Sequence, residues 1–67
     1  MNITLNNRPE NIEIDNITIS ELLALKNFTF RMLVIKVNGK LIRKNEYSKA
    51  KVLEGDNVQI LHMISGG

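Results

Sequence analysis

The arrangement of this chain depends on one stretch, Ile17-Thr18-Ile19-Ser20-Glu21-Leu22, which predicts where its helix begins. Thr18 and Glu21 have the spacing of a capping box. In that motif the threonine hydroxyl accepts a hydrogen bond from the glutamate amide, and the glutamate carboxylate accepts one from the threonine amide. The apolar residues that follow recur at helical spacing, so the sequence predicts one short helix over residues 19–26.

Alternating apolar and polar side chains before the helix indicate a hairpin. Ile3 and Leu5 alternate with polar neighbours, which is the pattern of a strand with one buried face. Residues 6–11 are turn-forming, with Pro9 fixing φ and lacking an amide donor, and the alternation resumes at Ile12-Glu13-Ile14. We therefore expect strands at about residues 1–6 and 12–14.

Three further strands are predicted after the helix. Residues 33–37 alternate again, and Asn38-Gly39 has the composition of a type I′ turn leading into a strand at residues 40–42. Glu54-Gly55-Asp56 forms a turn before the last strand, residues 58–64. The predicted order is β-β-α-β-β-β. This order predicts an α+β fold in which a mixed sheet packs against one short helix.

The last strand carries apolar residues on both of its faces. Leu61 and Met63 point away from the side that the helix covers, because side chains alternate along a strand. One short helix covers one face of a sheet, so we expect Leu61, Met63 and Val34 to form an exposed docking surface that leads to the C-terminus. The alternative is that the loop at residues 27–32 folds over these side chains and buries them.

Length and composition indicate a single domain, residues 1–67, without an active site of its own. The sequence has 67 residues, a hydrophobic fraction of 43%, no cysteine and one histidine, which leaves no thiol nucleophile and no Cys/His metal site. No apolar stretch approaches the roughly 18 residues of a membrane span. The net charge of +2, with two phenylalanines and one tyrosine, gives little reason to expect nucleic-acid binding. We expect a cytoplasmic monomer that binds neither membranes nor nucleic acid.

The chain ends in Gly66-Gly67, directly after the predicted last strand. Glycine makes up about 7% of residues on average, so two in a row at these positions have a probability of roughly one in 200. Glycine lacks a Cβ and rotates freely about φ. A flexible tail at residues 64–67 is therefore slim enough to enter a narrow channel and present its α-carboxylate to another protein. The alternative is an ordinary frayed terminus.

Four motifs in this chain occur together in a known family. They are Val37-Asn38-Gly39, Glu46-Tyr47, the run Leu53-Glu54-Gly55-Asp56 followed by Val58 and Ile60, and the terminal Gly66-Gly67. Over the full chain they resemble the ThiS family of sulfur carriers, within the ubiquitin-like β-grasp superfamily. The chain departs from the family pattern at Arg43-Lys44, where the family often has Pro-Arg, and at Tyr47, where it often has tryptophan.

The resemblance implies a carrier rather than an enzyme. In that family a ThiF-type adenylyltransferase uses ATP to activate the carboxylate of the last glycine. A persulfide-bearing protein supplies sulfur, and the resulting thiocarboxylate donates it to thiazole synthase in thiamine biosynthesis. The resemblance therefore implies that Gly67 is modified, that Gly66, Ser65 and Ile64 form the partner-binding tail, and that no cofactor binds this chain.

Three alternatives remain open at this point. Ser65 before the two glycines is also similar to the small subunit of molybdopterin synthase, whose chain is usually longer. A ubiquitin-like protein modifier shares the adenylation step but forms an isopeptide bond with a lysine of its target. A small binding module with an incidental tail would use neither reaction.

Overall fold

A computed structural model describes residues 1–28 and 32–63 of the chain. Its elements are β1 (Asn2–Leu5), β2 (Arg8–Asn11), β3 (Ile17–Thr18), α1 (Ile19–Leu25), β4 (Leu33–Val37), β5 (Lys40–Ile42), a 3₁₀ turn (Lys44–Glu46), β6 (Lys51–Val52) and β7 (Asn57–His62). Five strands form a sheet in the order β2-β1-β7-β4-β5, and β3 pairs with β6 in a separate two-stranded sheet. Only the central pair β1 and β7 is parallel in the described sheets. The predicted α+β class, with a mixed sheet and one short helix, is confirmed.

The helix begins at the capping box. The Thr18 hydroxyl accepts a hydrogen bond from the Glu21 amide at 3.1 Å, and the Glu21 carboxylate accepts one from the Thr18 amide at 2.9 Å. Lys26 is the C-cap, so the predicted range was one residue too long. Asn27 follows with a φ of 58°, a left-handed conformation that often ends helices and that asparagine tolerates.

The prediction of a second strand at residues 12–14 is wrong. Asn6-Asn7 forms a two-residue turn, with φ values of 51° and 67°, and β2 follows it at once. Pro9 is compatible with this strand because β2 lies at the edge of the sheet. Thr4 lies opposite Pro9 in the pairing of β1 with β2. The Thr4 amide donates a hydrogen bond to the carbonyl of Asp56, on the other side of β1, so Thr4 needs no hydrogen bond from β2.

The second hairpin follows the prediction, whereas the small sheet was not expected. Asn38-Gly39 has φ values of 52° and 82°, the left-handed pair that a type I′ turn requires. The strands β3 and β6 contain two residues each, too few for a period-two pattern to predict. Ile17 pairs with Val52 there, which joins the start of the helix to the segment before β7.

The core lies between α1 and one face of the five-stranded sheet. Its buried side chains are Ile3, Leu5, Ile12, Ile17, Ile19, Leu22, Ile35, Ile42, Val52, Val58 and Ile60. Because side chains alternate along a strand, the residues between these point to the opposite face. That second face carries the candidate site.

Candidate functional site

The face of the five-stranded sheet that points away from α1, here called the outer face, carries an apolar patch. We define the apolar patch by four side chains: Val34, Leu41, Leu61 and Met63. Val34 lies directly opposite Leu61 in the pairing of β4 with β7. Leu61 and Met63 are 53% and 48% exposed, and Val34 is partly buried. The predicted exposure of Leu61 and Met63 is therefore confirmed.

The alternative, in which the loop at residues 27–32 buries these side chains, is not what the structure shows. Residues 29–31 of that loop lie outside the described residues. On its two sides, Phe28 packs against the core and Met32 is 53% exposed. The apolar patch is accessible to a partner in the described structure.

A groove of about 680 Å³ adjoins the apolar patch at the edge strand β5. Phe28, Leu33 and Tyr47 line it together with three members of the patch, and Arg43 and Lys44 supply its cationic lining. Burial raises the pKa of the Tyr47 phenol, which stays protonated at neutral pH. Both positions at which the chain departs from the family pattern, residues 43–44 and 47, therefore border this groove.

Sequence reasoning missed Leu41, which is 49% exposed. A strand of three residues is too short to show which way its side chains point. The signal was in the turn. A two-residue turn at Asn38-Gly39 pairs Val37 with Lys40 and Lys36 with Leu41, which places Leu41 on the face of β4 that carries Lys36.

Asn6 holds the strand that leads to the apolar patch. Pairing of β1 with β7 ends at Leu5 and Val58, where β1 turns away. Beyond that point the Asn6 Nδ2 donates to the Ile60 carbonyl at 3.1 Å, and the Asn6 Oδ1 accepts from the Ile60 amide at 2.7 Å. The side-chain amide thus takes the place of a strand peptide, one residue before Leu61.

Asn38 holds the other end of the same strand. Its Oδ1 accepts a hydrogen bond from the Asn57 amide at 2.9 Å, and its Nδ2 donates to the Asp56 carboxylate at 3.0 Å. Asp56 also accepts from the Leu53 amide at 2.9 Å. Two asparagine side chains, Asn6 and Asn38, therefore bond to the backbone of β7.

The predicted tail residues Ile64, Ser65, Gly66 and Gly67 lie outside the described residues. The last described residue is Met63, whose amide donates to the Met32 carbonyl at 2.9 Å. The described chain therefore ends within the apolar patch.

Glu21 is an ionisable residue with a structural role at the start of α1. Hydrogen bonds from the amide and hydroxyl of Thr18 lower the pKa of Glu21. Across residues 1–28 and 32–63, no group of three His, Cys, Asp or Glu side chains could hold a metal ion. No helix in this part of the chain is both long and apolar enough to cross a membrane.

The family model described as "ThiS family" matches residues 3–67. The chain belongs to the ThiS family. It is 26% identical over 65 residues to the sulfur carrier protein ThiS of Bacillus subtilis, with 97% of this chain and 98% of that protein covered. The fold is similar to the crystal structure of the thiamine biosynthesis protein ThiS from Geobacter metallireducens. The TM-score is 0.87 and the identity 29%, with both chains fully covered.

A solution structure of a thiamine biosynthesis protein from Geobacter metallireducens is also similar. Its TM-score is 0.77 at 29% identity, over 100% of this chain and 88% of that one. Likeness to the ThiS crystal structure confirms the predicted ubiquitin-like β-grasp fold.

Proposed function

We propose that this chain is a sulfur carrier for thiamine biosynthesis whose Gly67 carboxylate is converted into a thiocarboxylate. The observation that carries the proposal is the extent of the family match, which runs from residue 3 to residue 67 and so includes Gly66 and Gly67. The relatives from Bacillus subtilis and Geobacter metallireducens are named a sulfur carrier and a thiamine biosynthesis protein.

The proposed chemistry starts from a carboxylate, which is a poor electrophile. In a ThiF-type partner, a carboxylate oxygen of Gly67 attacks the α-phosphorus of ATP and displaces pyrophosphate, leaving an acyl-adenylate. A persulfide on a sulfur-donating protein attacks the acyl carbon and displaces AMP. A thiol then cleaves the resulting sulfur–sulfur bond, which leaves the thiocarboxylate on Gly67 and a disulfide elsewhere. Thiazole synthase is the proposed acceptor of that sulfur.

This chain supplies the substrate and the docking surface, and the partners supply the catalysis. In this proposal Gly66 gives the tail clearance in a narrow channel because it has no side chain, and Ser65 and Ile64 belong to the same partner-binding tail. The exposed Leu61 supports docking through the apolar patch, since a contiguous exposed apolar surface favours protein contact. ATP is held by the adenylating partner, and no cofactor is proposed for this chain.

The experiment is an accurate intact mass with C-terminal fragmentation after incubation with ATP, the adenylating enzyme and a sulfide source. Fragmentation is needed because oxidation of one of the three methionines adds almost the same mass as exchange of oxygen for sulfur. We expect sulfur to map to Gly67, and a chain that lacks Gly67 to keep its fold and remain unloaded.

Three results would contradict the proposal. Sulfur loading without Gly67 would show that this residue does not carry the chemistry. An unchanged Gly67, with an adenylating enzyme shown to be competent on another carrier, would favour the binding-module alternative. A heavier adduct through an isopeptide bond to a lysine would instead favour the protein modifier.

A further inference from the structure

The strand residues of the outer face include a positive charge and no negative charge. Strand pairing and alternation with the buried residues place ten side chains on this face: Asn2, Thr4, Pro9, Asn11, Val34, Lys36, Leu41, Asn57, Gln59 and Leu61. The residues from β1 and β2 are uncharged, and those from β4 and β5 are apolar apart from Lys36. One half of the face is therefore polar and neutral, and the other combines apolar side chains with a cation.

Lys36 lies beside the apolar patch. It is exposed and pairs with Leu41 on one side and Gln59 on the other, two residues along β4 from Val34. Within residues 1–28 and 32–63 the structure shows one ion pair, between Lys26 and Glu10. In the described structure Lys36 therefore has no carboxylate at ion-pair distance.

A partner that covers the apolar patch also removes water from Lys36. The methylene stem can pack against apolar neighbours, but an ammonium group that loses its hydration needs a hydrogen-bond acceptor. A carboxylate satisfies it best among protein groups, because it accepts the hydrogen bond and also carries the opposite charge. Arg43 and Lys44, which line the adjoining groove, add positive potential next to the apolar patch.

We propose that the partner surface that covers the apolar patch is itself apolar and presents a carboxylate to Lys36. This inference rests on the proposed function, takes its adenylating enzyme as the partner, and adds the chemistry by which that enzyme recognises the outer face. The charge of Lys36 calls for an anionic group, and the exposed Leu41 and Leu61 favour a protein over a nucleic acid, because phosphates would pair with Lys36 but would leave both leucines exposed to water.

The test measures binding of the full chain to the adenylating enzyme from the same organism by calorimetry, without ATP. The variant Lys36→Met keeps an apolar stem and removes the charge. Its matched control is Lys49→Met, because Lys49 is exposed in the turn whose neighbours Tyr47 and Ala50 bond to the start of α1, on the other side of the sheet. Circular dichroism of each variant confirms that the fold is retained.

We expect Lys36→Met to raise Kd by about tenfold or more, with a smaller effect of salt than in the unmodified chain, because a close interfacial charge pair is lost. Lys49→Met should leave Kd within about twofold. Equal or tighter binding of Lys36→Met would overturn the proposal, since an apolar partner surface without a carboxylate would accept methionine at least as well as lysine.

Two further outcomes distinguish a failure of this inference from a failure of the proposed function. If the unmodified chain binds the enzyme but is not adenylated when ATP is added, the proposed function fails and the Kd comparison still decides the role of Lys36. If the unmodified chain does not bind the enzyme at all, both fail. A fluorescent single-stranded oligonucleotide that binds the unmodified chain and not Lys36→Met would assign the outer face to nucleic acid and would also overturn the proposal.

Discussion

The hydrogen bonds from Asn6 to Ile60 can be tested by replacing Asn6 with glycine. Asn6 has a φ of 51°, which glycine adopts freely, so Asn6→Gly removes the side chain without straining the turn. Asn7→Gly is the matched control. Asn7 has a φ of 67° in the same turn, and its side chain makes no hydrogen bond to another part of the chain that the structure describes. The two variants share the added backbone entropy of glycine in the unfolded state and differ in the bonds to β7.

The expected difference follows from the two bonds that Asn6 makes. Both the amide and the carbonyl of Ile60 lose their partner, at 2.7 and 3.1 Å, and both bonds are partly buried. A neutral hydrogen bond contributes about 0.5–1.5 kcal/mol net, and water replaces part of it at a partly exposed site. Asn6→Gly should therefore lower the free energy of unfolding by about 1–2 kcal/mol more than Asn7→Gly. In a domain of this size each kcal/mol lowers Tm by roughly 4–8 °C.

Urea unfolding followed by circular dichroism gives the difference in free energy, and hydrogen exchange locates it. The Ile60 amide should exchange faster in Asn6→Gly than in Asn7→Gly, whereas the Ile35 amide in β4 should change only as much as global stability does. Equal unfolding midpoints together with equal protection of the Ile60 amide would refute the argument that Asn6 holds this part of β7.

Two further predictions concern pH and docking. Hydrogen bonds from Thr18 lower the pKa of Glu21 below its usual 4.5, so its carboxylate stabilises the fold above that pH and the contribution is lost as pH falls through the lowered pKa. Urea unfolding at several pH values should show a shallower acid-side loss for Glu21→Gln, and identical slopes would contradict this role. Leu61→Asp should raise the KM for adenylation about tenfold or more. Leu53→Asp is the matched control and should leave KM unchanged, because Leu53 is 52% exposed and Leu61 is 53% exposed, but Leu53 lies outside the apolar patch. Equal KM values would exclude docking through Leu61.

The parts of the fold that the sequence predicted are those that depend on neighbouring residues. The capping box depends only on Thr18 and Glu21, three residues apart. The turn at Asn38-Gly39 depends only on the φ values of these two residues. The second strand was misplaced because Pro9 was taken to mark a turn, although an edge strand accepts a residue that lacks an amide N–H. Whether a strand lies at the edge depends on which other strands pair with it, and those strands are formed by residues that are distant in sequence.

The candidate site divides in the same way. Alternation in the last strand was enough to predict that Leu61 and Met63 are exposed. Leu41 and Lys36 join them on the outer face through the register of β4 and β5, and Asn6 reaches Ile60 because β1 pairs with β7 across more than 50 residues of sequence. No local pattern contains these relations.

By itself the sequence determined the helix start, the second hairpin, the apolar character of the last strand and the terminal Gly66-Gly67. Only the tertiary structure decided that β7 lies between β1 and β4, with the apolar patch and Lys36 on the uncovered side of the sheet. The physical reason is the separation in sequence between the residues that interact. Caps and turns are stabilised by hydrogen bonds between residues a few positions apart, whereas strand order and register are set by the burial of side chains that are distant in sequence.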